Sequence, residues 1–216
     1  MKKFNFLMSA LILAFFAGCG DKISKPKPGA IIISTTEDEG PGFAGVPENR
    51  MSLMANIDKY IGTKAGGDCS GFITVLNKDT KGLFFDANTL HKYFSGNKTK
   101  SQAIFNFYNK QGKIYKKNPR VGDLIFFSNT TSRTKHKTTI DDITHVGIVR
   151  EIYDDGRVRF VHYASGRDKS DYMNMGARDV HKNGKRIENS YISHCRGNSV
   201  HCLTSHKFAG YGRVDG

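Results

Sequence analysis

The chain has 216 residues, a formal net charge of +13, four cysteines and no tryptophan. Its length and the lack of an internal repeat favour one domain behind an N-terminal segment and exclude a repeat array. A surface this basic suits nucleic acid, anionic lipid or an acidic cell-wall polymer, or it serves solubility alone. Lysines and arginines are scattered through the loops without a base-stacking motif, and together with the export signal described next this argues against nucleic acid as a partner.

The N-terminal segment has the pattern of an export signal. Lys2 and Lys3 precede an apolar run, and small residues end that run directly before Cys19. The alternative is a transmembrane helix, but the run is short for crossing about 30 Å of hydrocarbon. The pattern resembles a bacterial lipoprotein signal. This resemblance implies that residues 1–18 are a signal peptide, that Cys19 is lipidated, and that the protein is a lipid-anchored lipoprotein of the cell envelope.

The resemblance also bears on which membrane holds the lipid. The inner-membrane retention signal of Gram-negative lipoproteins usually places an aspartate directly after the lipidated cysteine, whereas here Gly20 separates Asp21 from it. In a Gram-negative cell we therefore expect anchoring in the outer membrane, facing the periplasm.

A tether and a first helix follow the signal. Residues 19–46 are rich in proline, glycine and polar residues, which predicts a tether, and the folded domain is expected at 47–216. From Pro47 a helix is predicted that ends at Gly62. Its core face is expected to contain Met51, Met54, Ile57 and Ile61.

Cys69 lies in a sequence that favours a reactive thiol. Gly66 and Gly67 interrupt the preceding structure, Asp68 is a good N-cap residue, and apolar residues at helical spacing follow. In the first turn of a helix the dipole lowers the pKa of a thiol, and the free N–H groups can bind an oxyanion. Ser70 is expected to support the cap or to polarise the oxyanion. A buried cysteine beside a turn is the alternative to a nucleophile.

Two histidines follow on a predicted β-hairpin. Residues 145–153 and 157–164 alternate as strands, and a turn signal lies between them. A turn with an even number of residues places His145 and His162 on one face, and an odd turn without a bulge places them on opposite faces. A turn centred between Asp154 and Asp155 would set His162 opposite Gly147. The two histidines would then lie on a diagonal of about 7–8 Å, within reach of two imidazoles.

The order of the elements predicts the fold class. Helices are predicted over 86–94 and 101–110, and the first clear strand over 123–127. Helices that precede strands indicate an α+β fold, with N-terminal helices packed on a central antiparallel sheet. The polar and basic stretch 128–144 is predicted to be a surface loop near the cleft.

The ordered motifs resemble the NlpC-type papain-like cysteine peptidases, which are peptidoglycan endopeptidases of bacterial cell walls. The resemblance implies Cys69 as nucleophile, His145 as general base and His162 as the third, orienting residue. It implies peptidoglycan as the partner, and neither a cofactor nor a metal is expected. The matching stretches lie in the family's order at 60–63, 68–72, 119–127, 145–149 and 162–165, with a weaker match at 208–214.

One segment departs from this family. Its members usually carry a tyrosine just before the Asp-Cys pair, where this chain has residues 64–67 with the sequence Lys-Ala-Gly-Gly, so Tyr60 or another residue would have to replace it. The predicted function is a lipid-anchored cysteine hydrolase that cleaves an amide bond in peptidoglycan stem peptides. The alternatives are a CHAP-type amidase or thiol acyltransferase on the same fold, and a wall-binding lipoprotein with impaired catalysis.

The two remaining cysteines are Cys195 and Cys202. They are close in sequence and, after export, lie in an oxidising compartment, which favours a disulfide that closes a short loop. A zinc site with nearby histidines is an alternative, although the spacing matches no standard zinc motif, and two unpaired thiols are another.

Overall fold

The computed structural model describes residues 48–96, 98–135, 142–193 and 199–215. The predicted signal peptide 1–18, the lipidation site Cys19 and the tether 19–46 lie outside the described residues. Within the described ranges, no helix is both long enough and apolar enough to cross a membrane.

Three helices precede the main strands: α1 (Glu48–Tyr60), α2 (Cys69–Asp79) and α3 (Lys100–Lys110). Ile57 on α1 is fully buried, as its position on the predicted core face requires. Ile61 lies beyond the end of the helix and is 39% exposed, so its assignment to the core face was wrong. The side chain of Met51 lies outside the described part of the chain.

The predicted helix over 86–94 does not form, and only a short 3₁₀ turn is present at Leu90–Tyr93. The carbonyl of Asp86 accepts hydrogen bonds from the N–H groups of Thr89 and Leu90. The bonds that follow, from Lys92 to Thr89 and from Phe94 to His91, span three residues each, so the segment continues as a 3₁₀ turn and not as an α-helix. Leu90 is buried, whereas Phe94 is 46% exposed. The expected helix over 101–110 is confirmed as α3, and it begins at an N-cap, Thr99.

The sheet has six strands, and each pairs with its neighbours in the antiparallel direction. In chain order its strands are β1 (Ile114–Tyr115), β2 (Leu124–Ser128), β3 (Ile143–Ile152), β4 (Val158–Ala164), β5 (Arg167–Met173) and β8 (Phe208–Gly212). Two short strands, β6 (Lys182–Asn183) and β7 (Arg186–Ile187), form a separate pair, and a short helix α4 (Thr204–Lys207) precedes β8. The spatial order of the six-stranded sheet is β1-β8-β2-β3-β4-β5. Helices packed on an antiparallel sheet confirm the predicted α+β class.

The sheet is covered on both faces, which gives two apolar cores. On one face α1, α2 and α3 pack against alternate residues of the central strands, among them Phe126, Val146 and Val161. On the other face Phe127 and Phe160 belong to a smaller cluster. All five residues of β2 are buried, as expected for a strand with both faces covered.

Candidate active site

Cys69 is the first residue of α2, and the residues around it form a helix cap. The Asp68 carboxylate accepts a hydrogen bond from the backbone N–H of Gly71 at 2.6 Å. The Ser70 hydroxyl donates to the same carboxylate at 2.8 Å. Asp68 and Ser70 therefore support the first turn of the helix, and the Ser70 hydroxyl is committed to the cap.

Gly66 and Gly71, on either side of Cys69, are required by a close crossing of the backbone. A Cβ atom on Gly66 would lie 2.1 Å from the backbone carbon of Gly71, and a Cβ on Gly71 would lie 1.9 Å from the carbonyl oxygen of Gly66. Gly66 and Gly67 both have positive φ values. The backbone before Cys69 thus passes directly under the first turn of α2, where no side chain fits.

The Cys69 thiol contacts the first turn of a second helix and the backbone of β3. Its Sγ atom lies 3.4 Å from the hydroxyl of Ser101, near the start of α3, and 4.0 Å from the carbonyl oxygen of Thr144. Burial raises the pKa of this thiol, but the charge and hydrogen bond of His145, the Ser101 hydroxyl and the backbone N–H of Val146 lower it to about 7. A substantial fraction is therefore thiolate at neutral pH.

His145, His162 and Asp171 form a line of hydrogen bonds behind the thiol. The Nε2 atom of His145 lies 2.6 Å from Nδ1 of His162, and Nε2 of His162 lies 2.8 Å from Oδ2 of Asp171. The His162 side chain is only 1% exposed. Burial lowers the pKa of His162 to about 4, against the opposing effect of Asp171, so the ring is neutral at pH 7.

Asp171 is ionised because a second partner supports it. Lys169, two residues earlier on β5, places its Nζ atom 3.0 Å from Oδ2 of Asp171. Burial raises the pKa of Asp171, but the hydrogen bonds and charges of His162 and Lys169 outweigh it and leave the pKa below the ordinary value.

The hairpin reaches the predicted register by a different route. The turn between Ile152 and Val158 contains five residues, which is an odd number. A β-bulge at Arg150 then shifts the pairing by one residue, and beyond it Ile148 pairs with Val161. Continued by one residue, this register sets Gly147 opposite His162, as predicted. The odd number of turn residues alone would have placed the two histidines on opposite faces of the hairpin. The extra residue of the bulge returns them to the same face.

The hydrogen-bonded pairing of β3 with β4 ends before it reaches the part of β3 that contacts the Cys69 thiol. Their ladder extends no further than Ile148 and Val161. Beyond this point the Thr144 carbonyl and the Val146 N–H, which point to the same side of the strand, contact Cys69. The thiol thus contacts backbone groups of β3 that lie beyond its ladder with β4, on the strand that carries His145.

The loop that leads to Cys69 is held by Asp168 on β5. The fully buried Asp168 carboxylate accepts hydrogen bonds from the Thr63 hydroxyl at 3.0 Å and from the Ala65 N–H at 2.8 Å. Backbone bonds of 2.8 Å join Gly62 and Thr63 to Asp168 in addition. Asp168 and Asp171 are three residues apart and therefore face opposite sides of the strand.

Tyr60 does not replace the tyrosine that the NlpC family carries near the oxyanion. Its hydroxyl donates to Asp79 at 2.6 Å. Asp79 is the last residue of α2, ten residues after Cys69, which corresponds to about 15 Å along the helix. The hydroxyl is thus committed to the end of α2 that lies away from the thiol.

Comparison with known protein families finds a match over about half of the chain. A CHAP domain is found at residues 58–164. CHAP domains are typically hydrolases, either amidases or peptidases, and act on peptidoglycan. The finding agrees with the papain-like cysteine peptidase and amidase superfamily, while the narrower NlpC assignment stays a prediction. No curated protein and no solved structure matches the chain.

The CHAP domain contains the three residues that the sequence singled out for catalysis, and the structure brings them together. Cys69, His145 and His162 lie in one connected line, although their roles stay predictions. Two contributors were missed. Ser101 could have been suspected from its position next to a helix start, whereas Asp171 lies on β5, beyond the end of the CHAP match, in a segment too polar to be predicted as a strand.

The second cysteine pair is only partly described. Cys202 is fully buried and disulfide-bonded. Cys195 lies outside the described ranges, so its pairing with Cys202 stays a prediction. Among the described residues no group of His, Cys, Asp and Glu could hold a metal ion. Of the nearby histidines, His206 bonds Asp179 at 2.6 Å, away from the line behind Cys69.

Proposed function

We propose that the protein is a cysteine hydrolase that cleaves an amide bond in the stem peptides of peptidoglycan. The observation that carries the proposal is a thiol of lowered pKa at a helix N-terminus, in contact with a histidine that a second, buried histidine orients. The CHAP match supports the substrate. The NlpC-like motifs support cleavage within the peptide as the narrower version.

In the proposed reaction each group has a role. His145 takes the proton of Cys69, and the thiolate attacks the carbonyl carbon of the amide to form a tetrahedral intermediate. The His145 imidazolium then protonates the departing amine, and the carbon–nitrogen bond breaks to leave a thioester on Cys69. A water molecule, deprotonated by His145, hydrolyses the thioester and restores the thiol.

The oxyanion of the intermediate has candidate donors in the first turn of α2. Among the described residues, the backbone N–H groups of Cys69 and Ser70 have no hydrogen-bond acceptor, as is usual for the first residues of a helix. They lie at the positive end of the helix dipole, next to the sulfur. These N–H groups can hold the oxyanion without a tyrosine before Asp68.

The test is digestion of purified sacculi, with the soluble fragments identified by mass spectrometry. We expect fragments from the wild type and none from Cys69→Ala or His145→Ala. The matched control is His91→Ala, because His91 is exposed and its ring is hydrogen-bonded to the carbonyl of Asn88 in the same turn. Equal release by wild type and Cys69→Ala would refute the proposal. If nothing is released while both proteins still bind sacculi, the protein is a wall-binding one.

The fragments also identify the bond. Free intact stems indicate an amidase that separates peptide from glycan, and shortened stems indicate an endopeptidase of the NlpC kind.

We propose further that Cys19 carries the lipid anchor, on the strength of the basic, apolar and small-residue pattern before it. The full chain, expressed in bacteria fed labelled palmitate, is expected to take up label, and Cys19→Ser is expected to lose it. Cys69→Ala is the matched control and should retain the label. Equal labelling of Cys19→Ser and wild type would contradict the anchor.

A further inference from the structure

The carboxylate of Asp171 is the end of the hydrogen-bonded line behind Cys69, and it lies outside the CHAP match. The match ends at residue 164, whereas Asp171 is on β5 (Arg167–Met173). We infer that Asp171 is a positioning residue that fixes the tautomers of both histidines and so leaves Nδ1 of His145 as the base toward Cys69. The inference deepens the proposed function and rests on it for its role in hydrolysis.

The first step follows from the chemistry of the carboxylate. An ionised carboxylate can only accept hydrogen bonds, and Lys169 at 3.0 Å favours the ionised form. The 2.8 Å contact with His162 must therefore be donated by the ring. His162 carries its proton on Nε2.

The second step follows from the burial of His162. The ring is enclosed, with the Phe160 ring centroid 4.9 Å from its own, and burial keeps it neutral at pH 7. A neutral imidazole with a proton on Nε2 has a lone pair on Nδ1. The 2.6 Å contact with His145 must then be donated by Nε2 of His145.

The third step concerns the nitrogen that remains. His145 keeps a proton on Nε2 whether it is neutral or charged, so only Nδ1 gains and loses a proton during the reaction. Nδ1 is the nitrogen left for the hydrogen bond with Cys69. Among the described residues, the titratable or charged groups that face the two rings are Cys69 from α2, and Lys169 and Asp171 from β5. No proton has to reach Asp171.

Without the carboxylate, both tautomers of His162 become accessible. A proton on Nδ1 of His162 would require Nε2 of His145 to act as acceptor, which places the His145 proton on Nδ1, facing the thiol. That form cannot take the proton of Cys69. In hydrolytic triads, loss of the orienting carboxylate costs up to about 10⁴ in rate for this reason.

The test compares the wild type with Asp171→Asn, because the amide is similar in shape but can also donate to Nε2 of His162. Long-range ¹H–¹⁵N correlation spectra, assigned with His145→Gln and His162→Gln, report the tautomers directly. In the wild type at pH 7 we expect His162 to carry its proton on Nε2, and in Asp171→Asn we expect a mixture. Hydrolysis of sacculi is expected to fall by about 100-fold or more with little change in KM.

The control is Asp179→Asn, which removes the carboxylate of another Asp–His contact, His206 to Asp179 at 2.6 Å, on the protein surface. It should leave the tautomers of His145 and His162 and the rate unchanged. A wild-type His162 that is protonated on Nδ1, or an Asp171→Asn spectrum identical to the wild type, would overturn the inference. The spectra need no hydrolysis, so they remain informative even if the proposed activity fails.

Discussion

The hydroxyl of Ser101 is expected to stabilise the Cys69 thiolate, and Ser101→Ala measures how much. The Ser101 side chain is buried, and its oxygen lies 3.4 Å from Sγ. Hydrogen bonds to charged groups contribute about 1.5–3 kcal/mol, and a contact of this length to a large sulfur anion belongs at the lower end. Because about 1.4 kcal/mol corresponds to a shift of one pKa unit, loss of the hydroxyl should raise the pKa of Cys69 by about one unit.

The sign follows from which form is stabilised. The hydroxyl donates to the thiolate, so its loss favours the protonated thiol and raises the pKa from about 7. At pH 7 the thiolate fraction should fall from about one half to about one tenth, and the rate of alkylation by iodoacetamide should fall about fivefold. Above about pH 9 the two proteins should react at similar rates, since both thiols are then largely ionised.

The assay is the rate of Cys69 alkylation between pH 5 and 10, followed by mass spectrometry. Ser52→Ala is the matched control because Ser52 is exposed on α1, and its profile should coincide with the wild type. A Ser101→Ala profile with an unchanged or lower midpoint would refute the reasoning. It would show that His145 and the Val146 N–H determine the ionisation of the thiol without the hydroxyl.

Two further predictions concern the segment before Cys69. Gly66→Ala should destabilise the fold strongly, by about 3 kcal/mol or more, because its Cβ would enter the backbone of Gly71, whereas Gly67→Ala, with a similar φ but open space around it, should cost about 1–2 kcal/mol. Denaturant unfolding of the two variants compares them, and equal losses would contradict the steric argument. Tyr60→Phe should leave hydrolysis of sacculi unchanged, since its hydroxyl bonds Asp79; a loss of about 10-fold or more in kcat without a loss of stability would place that hydroxyl in the reaction.

The position of Cys69 at the start of a capped helix was predictable because local signals agree. Asp68 is an N-cap by residue type, apolar residues recur at helical spacing after Cys69, and the cap and helix form as expected. That His145 and His162 share one face of the hairpin was predictable only on the condition that the turn has an even number of residues or that a bulge compensates for an odd one. Alternation fixes the faces of the strands, but the bulge at Arg150 that corrects the odd turn has no signal in residue type.

The strand β5 could not be predicted because its buried positions are polar. Asp168 and Asp171 are both buried, and their carboxylates accept hydrogen bonds from the loop before Cys69 and from His162. A pattern of apolar residues shows which positions can be buried in a generic core, but not which carboxylates will find partners there. The helix predicted over 86–94 was wrong because the backbone hydrogen bonds beyond Leu90 span three residues and form only a 3₁₀ turn.

The two faces of β5 contact different parts of the site. Asp168 on one face binds the loop before Cys69, and Asp171 on the other face binds the His162 ring that contacts His145. Detachment of this one strand from its sheet would therefore release Cys69 and His145 together. A local opening of this kind requires less free energy than unfolding of the whole domain. Under mild denaturant the proposed activity should be lost in a single step while the remaining strands and helices are still folded, so the stability of β5 should limit the conditions under which Cys69 reacts.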